Sequence, residues 1–181
     1  VDAIVAEGFE AGGHNGREET TTFCLIPQVC ASTSLPVIAA GGIASGKACL
    51  AAQVLGAEGV QIGTLFALSE ESSASQEFKQ RCTALSEGDT MLCLKKLSPS
   101  RLVKNELYQR IAEAENNGAE KDELLAILGE KSTRRGIFDG DVVNGELEIG
   151  QIASAIKKVE LVSAIMERLV DEYNNARKKL S

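Results

Sequence analysis

The sequence lacks several features that would point to common classes of protein. It has one histidine among 181 residues. No apolar stretch approaches the roughly 20 residues that a membrane-spanning helix needs. Its five cysteines form no CxxC pair, so we expect reduced thiols rather than a disulfide framework or a zinc site. The patterns GxGxxG and GxxxxGK[ST] are also absent, which argues against a Rossmann or P-loop nucleotide site.

Positive charge is also scarce. The formal net charge is -7, which argues against general binding to nucleic acids or anionic membranes. The first residues, VDAIVAEG, contain neither Met nor the basic segment of a secretory signal. We therefore expect a cytoplasmic protein with no nucleic-acid partner and no membrane association.

Three short apolar runs, each with glycine at or near its end, predict a parallel β-sheet. They lie at 2–8, 36–42 and 59–64 and are rich in Val, Ile and Ala, as is typical of strands buried on both faces. Helical patterns at 20–33 and 45–57 alternate with them. The order β-α-β-α-β and its spacing are those of successive βαβ units.

Composition changes near residue 70, where charged residues become frequent. The sequence therefore predicts an α/β part over 1–70 and a mainly helical region over 71–181. Amphipathic patterns predict helices at 75–88 and 100–118, and an ordered, glycine-containing loop over 134–151.

Glycines follow two neighbouring strands of the predicted sheet. AAGGIASG places Gly41 and Gly42 between a strand and a helix, and QIGT places Gly63 and Thr64 after the next strand. The carboxyl ends of parallel strands are where α/β folds bind ligands, and backbone N–H groups in such loops can hold an anion. These glycines predict a phosphate site, with tight turns and no ligand as the alternative.

The single histidine, His14, lies in the glycine-rich segment EAGGHNG after the first predicted strand. An imidazole exchanges protons near neutral pH, so His14 is a candidate general acid or base on the ligand side of the sheet. The alternative is an exposed loop histidine with no role. Glu7 and Glu10 flank the same loop, and each could either bind a ligand or cap the next helix.

Taken together, the motifs resemble a known family. AEGFEAGGHNG, TTTFCLIPQV, PVIAAGGIASG and LGAEGVQIGTLFA are closely similar to the nitronate monooxygenases, formerly 2-nitropropane dioxygenases. That family includes the FMN-dependent enoyl-acyl-carrier-protein reductases of type II. The resemblance is dense over 1–72, returns at GDVVNGELEIGQIA (140–153) and in the terminal helix, and is weak between them.

The resemblance implies a TIM (β/α)8 barrel with FMN at its mouth. The three strands match the sixth, seventh and eighth strands of that barrel. His14 matches the family's catalytic histidine. The resemblance places these residues at the cofactor: Glu7, Gly13, Ala40, Gly41, Gly42, Gln61, Gly63, Thr64 and Gln151. No metal is implied.

The first five strands have no counterpart here, so we expect the chain to be the C-terminal fragment of a longer protein, without the N-terminal half of the barrel. As a fragment, it is expected to be inactive and not to bind FMN tightly alone. Family members are often dimers, which predicts a homodimer.

Two reactions remain open within the family. In one, NAD(P)H reduces an enoyl thioester through the flavin. In the other, an alkyl nitronate is oxidised with O₂. AEGFEAGGH favours the reductase, whereas NGELEIGQ departs from the AGQ form expected there. A different class of function, a non-catalytic helical interaction module over residues 70–181, is the remaining alternative.

Overall fold

The computed structural model describes residues 1–180 as an α/β fold. Its elements, in chain order, are β1 (Ile4–Glu7), β2 (Gly13–His14), α1 (Thr22–Ser32), β3 (Val37–Ala40), α2 (Gly46–Val54), β4 (Gly59–Gln61), α3 (Thr64–Ala67), α4 (Gln76–Thr83), β5 (Thr90–Cys93), β6 (Ser100–Val103), α5 (Glu106–Asn116), α6 (Lys121–Leu128), α7 (Ser132–Ile137), a 3₁₀ helix (Gln151–Ala155) and α8 (Val162–Leu180). Within residues 1–180, no helix is both long and apolar enough to cross a membrane.

The three apolar runs form the predicted parallel sheet, in the order β1-β3-β4. Ala39 of the central strand lies opposite Ala6 on one side and Val60 on the other. Ala6 and Ala39 are buried, together with Ile26 of α1 and Ala52 of α2. Small side chains on the sheet let both helices pack closely against it. Because the three strands are parallel, their carboxyl ends lie at one edge.

Glycine also decides how the terminal helix α8 packs on α2. The side chain of Ser45 caps α2 by accepting a hydrogen bond from Ala48 N–H at 3.2 Å. A Cβ atom at Gly46 would lie 2.2 Å from the carbonyl oxygen of Leu169 in α8. The bare backbone of Gly46 therefore allows the close contact of the two helices, and its N–H donates to the carboxylate of Glu172 at 2.8 Å.

A second sheet, which the sequence did not predict, is antiparallel and has the order β2-β6-β5. The helix predicted over 100–118 is wrong in its first part, because residues 100–103 form β6, and it is confirmed over 106–116. All four residues of β6 are buried between β2 and β5, so pairing with a strand on each side prevails over helical patterning. The boundary that the sequence predicts near residue 70, between an α/β part and a mainly helical region, stays a prediction.

The segment predicted as an ordered loop over 134–151 is partly helical, because α7 takes up its first residues. Beyond α7, residues 146–151 form a returning chain that runs beside β6. Within it, the Leu147 carbonyl accepts a hydrogen bond from Val103 N–H at 3.0 Å. A Cβ atom at Gly136 would lie 2.2 Å from the carbonyl oxygen of Glu146, so this glycine lets α7 press against the returning chain. The returning chain in this way reaches the edge where the parallel strands end.

Candidate functional site

A cavity of about 240 Å³, which we call the glycine cavity, lies at the carboxyl ends of the three parallel strands. Loops after β1, β3 and β4 form most of its wall, and the returning chain beside β6 closes one side. The cavity is lined by Glu7, Ala11, Gly12, Ala40, Gly41, Gly42, Ile43, Gln61, Gly63, Thr64, Ala67, Glu148, Ile149 and Ile152. Seven of the residues predicted at a cofactor site meet here: Glu7, Ala40, Gly41, Gly42, Gln61, Gly63 and Thr64.

The glycines expose backbone to this cavity. Gly41 has a φ of 96°, and a Cβ atom there would lie 2.8 Å from the carbonyl oxygen of Gly8, so no other residue fits. Gly63 differs, since nothing lies within 4 Å of a Cβ atom built on it. No hydrogen bond within residues 1–180 uses the N–H groups of Gly42 or Gly63. These groups are therefore available to an acceptor in the cavity.

Thr22, which the sequence did not single out, ties the first two loops together. Its hydroxyl lies 3.2 Å from the Ala40 carbonyl, 3.0 Å from the Gly41 carbonyl and 2.9 Å from a carboxylate oxygen of Glu10. The same carboxylate oxygen accepts from Thr22 N–H at 2.9 Å, at the start of α1. Glu10 therefore caps a helix, whereas Glu7 lines the cavity.

The cavity carries negative charge on its side chains. Glu7 and Glu148 are its ionisable lining residues, and no Lys, Arg or His lines it. Partial removal from water raises the pKa of Glu7. Within residues 1–180, no group of three or more His, Cys, Asp or Glu side chains is placed to hold a metal ion. An anion in this cavity would therefore be held by backbone N–H groups and the hydroxyl of Thr64.

Three segments that are distant in sequence close this site. A Cβ atom at Gly12 would lie 2.4 Å from the carbonyl carbon of Ile149, so the glycine-rich loop lies directly against the returning chain. Gly150 N–H donates to the hydroxyl of Thr64 at 3.0 Å, and Gln151 N–H donates to the Glu10 carbonyl at 2.9 Å. The motif NGELEIGQ therefore reaches the site through its backbone.

His14 and Gly13 form the short strand β2, where His14 lies opposite Ser100 of β6. Gly13 is buried and the His14 side chain is exposed. Neither residue lines the glycine cavity, although Gly12, the residue before them, does. His14 lies close enough to Glu146 for its charge to lower the pKa of that carboxyl group, against a larger upward effect of burial. His14 is therefore at the edge of the site rather than inside its glycine wall.

Gln151 is exposed and lines a neighbouring cavity of about 410 Å³. That cavity shares Gly42 and Ile152 with the glycine cavity, and its other walls are polar. The structure therefore brings Gln151 next to the predicted cofactor residues without placing it in the same cavity.

Arg101 of β6 is a second residue that the sequence did not identify. Its side chain is buried, and its guanidinium donates to the Phe9 carbonyl from Nη2 at 2.8 Å and from Nε at 3.3 Å. The guanidinium carbon also lies 4.5 Å from the centre of the Phe9 ring. Burial lowers the pKa of Arg101, and the charges of Glu10 and Glu19 oppose that effect. Arg101 thus holds the loop that joins β1 to His14.

The chain is an α/β protein with a cavity at the carboxyl ends of its parallel strands, the edge at which such folds bind ligands. The chain belongs to the nitronate monooxygenase family, whose model matches residues 1–172. A probable nitronate monooxygenase of Staphylococcus haemolyticus is 41% identical over 127 residues, which are 65% of this chain and 36% of that protein. One from Staphylococcus aureus is 46% identical over 100 residues, 51% of this chain and 28% of that protein.

Solved structures agree with this assignment. FabK from Thermotoga maritima superposes with a TM-score of 0.90 and 39% identity, covering 99% of this chain and 57% of that one. A nitroalkane oxidase from Streptomyces ansochromogenes gives a TM-score of 0.82 and 28% identity, covering 100% of this chain and 54% of that one. The chain thus spans little more than half the length of these solved relatives.

Proposed function

We propose that this chain forms part of an FMN-dependent oxidoreductase, and that β1, β3 and β4 are the sixth, seventh and eighth strands of a TIM barrel. The remaining strands would come from outside these 181 residues. The exposed fraction of Val5, 50%, supports this, because strands of parallel sheets are normally covered on both faces. A cytoplasmic homodimer is part of the proposal and rests on the family resemblance.

The observation that carries the proposal is the glycine cavity. The unused N–H groups of Gly42 and Gly63 and the hydroxyl of Thr64 fit a phosphate group, whose oxygens accept hydrogen bonds. No cationic side chain is needed, because backbone N–H groups alone form anion sites in such loops. Glu7, Gly13, Ala40, Gly41, Gln61 and Gln151 complete the proposed cofactor site.

Within the family, we favour reduction of an enoyl thioester by NAD(P)H. When held by Gly42, Gly63 and Thr64, FMN would supply hydride transfer from the nicotinamide to the β-carbon of the thioester, and the α-carbon would take up a proton. His14, at the edge of the site, would exchange a proton through its imidazole. Oxidation of an alkyl nitronate is the second candidate, because the curated relatives are named nitronate monooxygenases and a solved relative is a nitroalkane oxidase.

The substitution Gly63→Ala tests the phosphate site. Gly63 has a φ of -91°, which any residue adopts, and its Cβ would enter open space, so we expect an unchanged melting temperature. The added methyl group would occupy the cavity and weaken FMN binding about tenfold or more, a loss of roughly 1.4 kcal/mol. The matched control is Gly16→Ala in an exposed loop outside the cavity. Equal FMN affinity in both variants would contradict the phosphate site.

Anaerobic flavin spectra of the full-length protein separate the two reactions. Bleaching by NADPH or NADH, followed by recovery on adding an unsaturated thioester, is the expected result. Bleaching by a nitronate but by neither nicotinamide would instead identify a nitronate monooxygenase. His14→Ala should lower turnover while flavin stays bound. If no flavin binds at all, the helical interaction module over residues 70–181 becomes the better hypothesis.

A further inference from the structure

The carboxylate of Glu148 stands in the wall of the glycine cavity on the side nearest His14. Its oxygen Oε2 lies 3.0 Å from the position of a Cβ atom built on Gly13. Its backbone is fixed by a β-bridge to Leu102, and its oxygen Oε1 lies 3.5 Å from the hydroxyl of Thr133. Glu148 is thus held between the cavity and β2, which carries His14.

Nothing on the cavity wall neutralises this carboxylate. Glu7 is the other ionisable lining residue, and it is acidic as well. Behind Glu148 lies a further carboxylate, Glu146, which is buried and accepts a hydrogen bond from the Thr133 hydroxyl at 3.0 Å. The cations Arg101 and His14 do not line the cavity, and the buried Nη1 of Arg101 has no hydrogen-bond partner within residues 1–180. The ionisable side chains that a ligand meets at this end of the cavity wall are therefore acidic.

We propose that Glu148 is a specificity-determining residue, which selects uncharged substrates over anionic ones by repulsion across the cavity. The inference rests on the proposed function, because it assumes that the FMN phosphate lies on the N–H groups of Gly42 and Gly63 and that the substrate, not the phosphate, reaches Glu148. Two like charges in a cavity only partly open to water repel each other far more strongly than they do in bulk solvent. An enoyl thioester is uncharged at its reacting carbons, whereas a nitronate is an anion whose charge is shared between its α-carbon and the two oxygens bonded to nitrogen. Glu148 thus supplies a physical reason to favour the reductase reaction.

The test compares two ligands that share one carbon skeleton, nitroethane and its anion ethyl nitronate. Dissociation constants are measured anaerobically from perturbation of the bound flavin spectrum, and kcat/KM is measured for ethyl nitronate and for crotonyl thioester. In Glu148→Gln we expect the nitronate to bind about tenfold more tightly, since one repulsive charge is removed. The effect on uncharged nitroethane should be smaller, so the ratio of nitronate to nitroethane affinity should rise, as should kcat/KM for ethyl nitronate relative to kcat/KM for crotonyl thioester.

Two further variants separate charge from shape. Glu148→Asp keeps the charge on a shorter side chain and should keep the discrimination. Glu113→Gln removes the same charge from the exposed face of α5, away from the cavity, and should leave both ligands unaffected. Glu148→Gln keeps an oxygen that can accept from Thr133, and a melting temperature within a few degrees of the unmodified protein will show that the fold is retained.

The outcomes distinguish failure of this inference from failure of the proposed function. If flavin binds and turns over but Glu148→Gln leaves the ratio of nitronate to nitroethane affinity unchanged, Glu148 does not determine specificity, and the proposed function stands. The same conclusion follows if Glu148→Asp loses discrimination as fully as Glu148→Gln. If the unmodified protein binds no flavin, the proposed function fails first and the inference falls with it.

Discussion

The two sheets of this molecule contribute different kinds of chemical group to one site. The parallel sheet buries small residues such as Ala39 and Ala40, and it presents glycine backbone to the cavity. The antiparallel sheet and the chain beside it bury large charged side chains, Arg101 and Glu146. One wall of the site is therefore made of main-chain N–H groups and the other is supported by ionisable side chains.

This difference separates two requirements of a binding site. Backbone donors give the same contacts whatever side chains surround them, so the parallel sheet suits a constant group such as a phosphate. Side chains can change without moving the chain, so the antiparallel side can adapt the site to a particular substrate. Glu148 is the residue at which this adaptable side meets the cavity. Substitutions on the two sides should accordingly have different consequences.

Gly12→Ala should give the largest effect, because Gly12 lies where the two sides touch. Its Cβ would lie 2.4 Å from the carbonyl carbon of Ile149 and 2.5 Å from Gly150 N, and backbone cannot yield as a flexible side chain can. We expect a loss of at least about 3 kcal/mol in the free energy of unfolding, measured with urea. Gly16→Ala, four residues along the chain, is the control and should be nearly neutral. Equal stability of the two variants would show that the two sides do not press on each other.

Arg101→Met tests the charged side alone. The variant keeps an apolar side chain of comparable length but leaves the Phe9 carbonyl without its donor and removes the stacking on the Phe9 ring. An unsatisfied buried carbonyl costs about 1–3 kcal/mol, and relief from burying a cation offsets part of it, so a net loss of roughly 2 kcal/mol is expected. The control is Arg110→Met on the exposed face of α5. A variant as stable as the control would show that Arg101 does not hold the loop.

The parallel side is also the one whose structure follows from sequence patterns. Its strands are short apolar runs closed by glycine, a local signal, and all three were predicted. The strand β6 was missed because SRLV precedes a clear amphipathic helix and continues its pattern. Its pairing with β5, a few positions earlier, and with Gly13 and His14, nearly ninety positions earlier, makes it a strand. The pairing with β2 leaves no local mark in the sequence.

The same difference between local and long-range signals separates the site residues that could be predicted from those that could not. Gly41, Gly42, Gly63 and Thr64 follow predicted strands, so their meeting in one cavity could be expected. Thr22 and Arg101 act through the Gly41 and Phe9 carbonyls, contacts that only the folded chain creates. Glu148 carried no signal of its own, since the departure of NGELEIGQ from the AGQ form falls at Ile149, and the charge of Glu148 acquires meaning only beside the cavity.

Glu146→Gln should give the smallest effect, and one that depends on pH. Burial, the largest influence, raises the pKa of Glu146 above its usual 4.5, and the neighbouring charge of Glu148 adds to this. The folded protein therefore holds this proton more tightly than the unfolded chain does. Its contribution to stability is present in full below pH 4.5 and is lost as the pH rises through the raised pKa.

Gln cannot ionise, so the variant should avoid that loss while its amide oxygen still accepts from Thr133. We expect Glu146→Gln to gain stability relative to the unmodified protein as the pH rises from 4 to 8, because the unmodified protein loses the contribution of the bound proton over that range. Urea unfolding at several pH values measures the difference, with the exposed Glu113→Gln as the control for net charge. A difference that stays constant with pH would mean that Glu146 is ionised in the folded protein as readily as in the unfolded chain, and that the charged side of the site is more open to water than its burial indicates.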